Sequence, residues 1–270
     1  MSASSKEEFA SLHRSGSPLV MPNPWDIGSA RVLAALGYQA LATTSSGFAA
    51  SIGRLDGSVT RDEALSHAAA IVAAVDVPVS ADLENGFGHE PDEVAATVAG
   101  ALAAGLAGCS IEDSSGEGIY DPALAAERVA AAAAAAAGRL VLTARAENHL
   151  HGRAELSDTI ARLQRYQQAG ADVLYAPGLV DAQDIATLVR ELDRPVNALL
   201  LRDGPSVSEL ASAGVSRISI GGTFAFAALG ALAQAARDLQ GEGPYSFWEL
   251  AGQGREIARG AFPGTSGEIS

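Results

Sequence analysis

Residues 77–88 read VPVSADLENGFG, an apolar start followed by two carboxylates, Asp82 and Glu84, two positions apart. Side chains alternate across a strand, so this spacing predicts that both acids leave the same face. Two like charges there are costly unless something positive lies between them. Comparable acids recur along the chain: AGCSIED supplies Glu112 and Asp113, GRLDG supplies Asp56, and LTARAEN supplies Arg145 and Glu147. Carboxylates with no accompanying cluster of His or Cys suit a hard divalent cation, Mg2+ with Mn2+ as the alternative, that keeps several of its waters. Arg145 offers a planar fork of donors, either for a substrate carboxylate or for an ion pair with Glu147 or Glu112. TTSSG at 43–47 adds hydroxyls and backbone N–H groups suited to an oxyanion.

These residues need a scaffold that gathers them. Apolar, β-branched runs at 19–24, 39–45, 77–84, 107–113, 140–147, 171–177, 195–201 and 216–222 read as strands. Helical stretches lie between them, among them 26–37, 60–75, 91–105 and 157–170, several opening on a capping residue and closing on glycine. The alanine tract at 130–137 also reads as helix. Eight alternations in a chain of 270 residues predict an α/β fold, a single (β/α)8 TIM-type barrel, whose chemistry gathers at the C-terminal ends of its strands. The alternative, a doubly wound sheet, lacks its glycine-rich fingerprint, since the first strand is followed by NPWDIGSA. After the eighth unit a break at GEGP precedes an aromatic-bearing helix, so that 244–262 forms a C-terminal extension, packed on its own barrel or on a neighbouring subunit.

Composition narrows the chemistry. The formal charge of −14 argues against nucleic acid or an anionic membrane surface as a partner, while leaving room for a small anion neutralised locally. The one cysteine, Cys109, reads as a small buried side chain and excludes a disulfide framework. The one lysine, Lys6, lies in a polar and, by expectation, mobile N-terminal stretch, which removes Schiff-base and pyridoxal phosphate chemistry. MSASSKEEFA lacks the basic-then-apolar pattern of a signal peptide, and the reading is of a cytoplasmic protein. His13, His67 and His89 read as surface or helix residues; His149 and His151 in ENHLHG follow the fifth strand and are within reach of the site.

Taken together, NPWDIGSARVLAALGYQAL, TTSSGFAASIGRLDG, VPVSADLENGFG, AGCSIEDS, LTARAEN and AGADVLYAPG resemble the isocitrate lyase/phosphoenolpyruvate mutase superfamily over nearly the whole chain. The D-x-E-x-G-x-G run followed by IED carries most of that resemblance. It implies a Mg2+-dependent barrel that cleaves or forms C–C or P–C bonds next to a carboxylate or 2-oxo acid. By position, Asp82 would be the direct metal ligand, and Asp56, Glu84 and Glu112 would hold the metal's waters. Arg145 and Asn197 would bind substrate with the Thr44–Ser45–Ser46–Gly47 loop, and Trp25–Asp26 would be mainly structural. The resemblance also implies a homotetramer, a dimer of dimers with exchanged C-terminal helices.

The departures are equally informative. The lyases of that superfamily carry a K-[KR]-C-G-H loop after the fourth strand, where this chain reads EDSSGEGIYDP. The Lys and Asn of the mutase loops are missing, and Ala176–Pro177 stands where mutase-like members have histidine. What remains is a platform for a small 2-oxo or 2-hydroxy (di)carboxylate, with retro-aldol cleavage or decarboxylation through an enolate as the expected reaction. Arg145 and Glu112 are its expected catalytic groups, with Tyr120 as candidate proton donor beside His149 and Tyr175. The alternatives are a C–C or P–C hydrolase or phosphonomutase-type enzyme, and a non-catalytic binder of 2-oxo acids.

Overall fold

The computed structural model describes residues 6–243 and 245–262. Its centre is eight parallel strands: β1 (Leu19–Val20), β2 (Leu41–Ala42), β3 (Val79–Asp82), β4 (Gly108–Glu112), β5 (Val141–Arg145), β6 (Val173–Tyr175), β7 (Val196–Leu199) and β8 (Arg217–Ser219). Their order, β1-β8-β7-β6-β5-β4-β3-β2, curls the sheet into the expected TIM-type architecture. Prolines shorten β1: Pro22 and Pro24 have no N–H to donate, so the ladder stops at Val20 rather than running to 24. The two sheet edges still meet. Ala42 N–H donates to Pro22 C=O at 3.1 Å, and the Asn23 amide donates to Thr43 C=O at 3.1 Å. Asn23 Oδ1 accepts from the N–H groups of Ile220 and Gly221, each at 3.0 Å, so one side chain ties the β1, β2 and β8 ends together.

The helices follow the expected rhythm: α1 (Lys6–Ser11), α2 (Ile27–Ala35), α3 (Ser45–Ser51), α4 (Arg61–Val72), α5 (Pro91–Ala103), α6 (Pro122–Ala136), α7 (Leu156–Gln168), α8 (Ala182–Glu191), α9 (Val207–Ser212), α10 (Thr223–Leu239) and α11 (Phe247–Ala261). Asp26 caps α2 in a box with Ser29, and Thr60 caps α4 in a box with Glu63. The alanine tract lies in α6, whose small side chains pack on α5; the helix ends as Ala137 enters the left-handed region at φ +48°.

At the N-terminal end of the strands, α1 drives the fully buried Phe9 against Leu19, Met21, Ala107, Val141 and Val173. Gly108 permits this approach, because a Cβ there would lie 2.8 Å from the Phe9 ring. Lys6 has a partner in the barrel: its Nζ sits 2.9 Å from Asp172 Oδ1, and Asp172 Oδ2 also accepts the N–H of Leu142. It lies at the end of the barrel away from the acids. His13, rather than lying on the surface, packs edge-on against Phe9, and burial together with the charge of Arg217 lowers its pKa to about 4. Cys109 is buried as expected.

The C-terminal segment is less covered. Among the described residues of α10 only Ala225 is buried, and Phe226 and Leu232 face solvent. The expected extension begins at 244, which lies outside the described residues; its helix, α11, rests on α2 of the same chain around Val32, Leu36 and Ile257, with Trp248 and Leu250 exposed. Among the described residues no helix is long and apolar enough to cross a membrane.

Candidate active site

Two connected spaces open at the C-terminal strand ends. The inner is a cavity of about 230 Å³ that receives side chains from every strand or the residues just after it, including Asn23, Thr43, Asp82, Ser110, Arg145, Tyr175, Asn197 and Arg217. The outer is a cleft of about 480 Å³ lined by Ser45, Asp56, Glu84, Glu112, Ser114, Arg145 and Glu147. Arg145 borders both.

The last residue of β5 organises the acids. Arg145 Nη1 lies 3.0 Å from Asp82 Oδ1, Nη2 3.1 Å from Glu112 Oε2, and Nε 2.8 Å from Glu147 Oε1. Parallel pairing creates the first two contacts' geometry, because β3, β4 and β5 place Asp82, Ser110, Glu112 and Arg145 at neighbouring register positions. Burial alone would disfavour the guanidinium, but Glu147, Glu112 and Asp82 outweigh that and hold it firmly protonated. Glu147 is fixed in turn, its N–H donating to Asp113 Oδ1 at 2.7 Å. Asp113 is itself held by Tyr166 Oη at 2.6 Å and Arg162 Nη1 at 3.1 Å. Asp113 is thus a buried support beneath the site.

Asp82 and Glu84 do not share a strand face. The strand stops at Asp82, and Glu84 takes φ +48°, a left-handed conformation that non-glycine residues adopt sparingly and that recurs at functional sites. Asp82 therefore lines the inner cavity and Glu84 the outer cleft. Asp82 also accepts the Ser45 N–H at 3.2 Å and the Ser110 hydroxyl at 3.4 Å. Burial, then the charges of Asp82 and Asp56, push Glu84 up to about 7. Burial pushes Glu112 up to about 8, against the pull of Arg145. Asp56 comes from its loop to border both spaces.

The remaining candidates divide. Thr44, Ser45 and Ser46 line the inner cavity, but Thr44 is also the N-cap of α3, accepting from Gly47 N–H at 3.3 Å. Gly47 lies behind the lining: a Cβ there would meet Thr44 Cγ2 at 2.6 Å, so its amide and its smallness serve the cap. Asn197 lines the cavity, with its amide on Ser219 Oγ at 3.1 Å. Tyr175 lines it too, its ring 5.4 Å from the Arg145 guanidinium, with burial raising its phenol to about 12. Tyr120 stands outside both spaces. Its hydroxyl meets His89 Nδ1 at 2.7 Å and Asn85 Nδ2 at 3.4 Å, and Arg128 lies over its ring. His149 bonds Thr159 Oγ1 at 2.9 Å, and His151 bonds Ser114 Oγ at 3.1 Å. His67 bonds Trp25 C=O at 2.9 Å and stacks on Phe48, which with the Asp26 cap gives the Trp25–Asp26 pair its structural part.

Five carboxylates (Asp56, Asp82, Glu84, Glu112 and Glu147) therefore line the two spaces, and three of them, Asp82, Glu112 and Glu147, contact Arg145. Among the described residues no three His, Cys, Asp or Glu side chains converge as a ready-made metal cage. An all-oxygen donor set with excess negative charge nevertheless suits Mg2+, which uses one or two carboxylates and retains its waters rather than demanding a full protein cage.

The phosphoenolpyruvate phosphomutase family model matches residues 9–240. The chain belongs to this family. A Burkholderia cenocepacia J2315 structure described as a candidate lyase/mutase is 50% identical, with a TM-score of 0.90 and 95% of each chain covered. Oxaloacetate decarboxylase 2 of Pseudomonas putida is 31% identical over 69% of this chain and 64% of its own. The 2-methylisocitrate lyase of Halalkalibacterium halodurans is 27% identical over 73% of this chain and 68% of its own. These matches bear out the superfamily resemblance. Within the phosphoenolpyruvate mutase fold, sequence reasoning missed Arg217 in the cavity floor; the signal was a charged residue amid the apolar β8 run SRISIGG.

Proposed function

We propose that this chain is a Mg2+-dependent lyase or decarboxylase acting on a small 2-oxo or 2-hydroxy carboxylate, breaking a C–C bond at a carbon α to a carbonyl or carboxylate group so that an enolate is left. The observation that carries this reading is the set of five carboxylates lining the strand-end spaces, three of them in contact with Arg145, an excess of negative charge beside a cavity sized for a small acid. Oxaloacetate decarboxylation and methylisocitrate cleavage, the activities in two relatives' names, both break such a bond.

In this reading Asp82 is the direct ligand of the cation, and Asp56, Glu84 and Glu112 hold its waters. When bound, the cation supplies positive charge where negative charge develops on the substrate oxygen. With Asp82 and Glu112 engaged in holding the cation and its waters, Arg145 would have donors free for the substrate carboxylate, while Glu147 would keep its Nε and so its orientation. Thr44, Ser45 and Ser46 donate to the substrate's other oxygens from the opposite wall, and Asn197 faces them from β7. The lining of Met21, Ala42 and Leu199 limits water around the reacting carbon. Tyr175, which borders the cavity, is better placed than Tyr120 to hold a proton near that carbon. The exposed apolar residues Phe226, Leu232, Trp248 and Leu250 on α10 and α11 support a homo-oligomer in which these faces pack on a neighbour while the Ile257 side of α11 stays on α2 of its own chain.

The test is thermal unfolding with oxalate, which mimics a planar enolate, with and without Mg2+, on the parent and Asp82→Ala. Ligand at about 100 times its Kd adds about 2.7 kcal/mol of stability. Stabilisation of the parent only when both are present, lost in the variant, supports the reading. No response at saturation removes it.

A further inference from the structure

Arg217 is 4% exposed, on β8, with its guanidinium at the floor of the inner cavity. Its partners are all neutral. Nε donates to Asn197 Oδ1 at 2.8 Å, Nη2 to Thr143 Oγ1 at 3.0 Å, and Nη1 lies 3.4 Å from His13 Nε2. His13 Nδ1 lies 3.0 Å from the Phe9 carbonyl, which assigns its proton to Nδ1 and leaves Nε2 as an acceptor for the arginine. No carboxylate pairs with Arg217 among the described residues. Arg145 is paired with three acids and Arg162 with Asp113 and Asp158; Arg128, like Arg217, has only neutral partners, the carbonyls of Asn85, Gly88 and His89, but unlike Arg217 it lines neither space at the strand ends. A buried cation without a counter-charge is costly. Here three neutral contacts orient it and leave part of its donor fork unused beside an open cavity.

Its depth is set by the strand register. Thr143 lies two residues before Arg145 on the same face of β5, about 6.6 Å lower at the usual strand rise. Because Arg217 touches Thr143, the two guanidinium groups serve different levels of one cavity. Ser80, Ser110, Asn197 and Ser219 line the walls between, adding neutral hydrogen-bonding groups and no acid at the floor.

We propose that Arg217 binds the far carboxylate of a dicarboxylic acid, so that the cavity selects four- or five-carbon 2-oxo or 2-hydroxy diacids over monoacids of equal length. This rests on the reading of the site as a 2-oxo acid platform, with the near carboxylate and 2-oxygen at the rim. A guanidinium fork at a fixed depth matches a carboxylate and is left unpaired by a methyl group, which is how a polar pocket rejects the analogue lacking its partner.

The experiment is calorimetric titration of the full chain in Mg2+ with 2-oxoglutarate and with 2-oxopentanoate, which replaces the far carboxylate by methyl, with oxalate as the control for the rim. The parent should bind the diacid at least about tenfold more tightly. Arg217→Met should bring the diacid to the monoacid's affinity and leave oxalate binding unchanged; Arg217→Lys should fall between. If Arg217→Met does not fold, the parent's ratio and the Lys variant decide. Equal affinities for the two acids, or a diacid preference that survives Arg217→Met, overturn the inference while oxalate binding keeps the platform reading intact. Failure of oxalate and both 2-oxo acids to bind removes the platform reading and this inference with it.

Discussion

Replacing Arg145 with methionine removes the one cation in contact with Asp82, Glu112 and Glu147 while keeping much of the side chain's bulk. The three contacts, at 3.0, 3.1 and 2.8 Å, join groups whose side chains are at most 18% exposed. Removing one partner of a buried pair costs about 3–5 kcal/mol, because the other charge is left unpaired. The acids can escape that cost by taking up protons, which makes the loss depend on pH. Arg145 is the charge that pulls Glu84, Glu112 and Glu147 down, so its removal raises all three further. An acid whose folded pKa is raised keeps its proton where the unfolded chain has lost it, so stability falls as pH rises through that window. One additional retained proton steepens the fall by about 1.4 kcal/mol per pH unit. Between about pH 5.5 and pH 8 this amounts to about 3 kcal/mol, within the range for a broken pair. Urea unfolding of parent and variant at both pH values, without added divalent cation, measures it, provided m is unchanged. A difference under about 1 kcal/mol at pH 8, or one equal at the two pH values, would mean that solvent rather than Arg145 compensates these acids.

The parent has its own pH dependence. With Glu84 raised to about 7 and Glu112 to about 8, its metal-free Tm should fall from about pH 5 to about pH 8, and Mg2+ should raise Tm more at the upper end, where its ligands are ionised; a flat Tm profile contradicts this. Tyr120→Phe should leave oxalate binding unchanged and cost about 1 kcal/mol through the lost contact to His89. A tenfold loss of binding in that variant would return Tyr120 to the site. Gly47→Ala forces a Cβ to 2.6 Å from Thr44 Cγ2 and should cost about 1–3 kcal/mol in thermal or urea unfolding. An unchanged Tm would show that the cap has room to shift.

Strand–helix alternation was legible because each strand is buried on both faces and so reads as an unbroken apolar run, while caps such as Asp26 and Thr60 mark the helices between. Strand ends were less legible. Alternation predicted one face for Asp82 and Glu84, but periodicity describes a chain only while it remains extended, and Glu84 has already turned. Proximity in sequence also made Tyr120 a candidate: it follows the IED strand end closely, yet the Ser114–Ile119 bridge folds the loop back and its ring goes beneath Arg128. Whether an acid beside Arg145 serves a cation or the arginine is a question of distance, which spacing along the chain does not contain.

Charge balance is the property furthest from sequence, since it is summed over residues brought together from separate strands. The rim holds five acids against Arg145, while the floor holds Arg217 with no acid in contact. An anion drawn to that floor must first pass a rim of net negative charge, which opposes its entry. A divalent cation at the rim would offset much of that negative charge and, by engaging Asp82 and Glu112, would leave donors of Arg145 for the entering carboxylate. The two proposed binding events are therefore coupled through one field: the same acids that make the rim suitable for a cation make a bound cation favour the passage of an anion to Arg217.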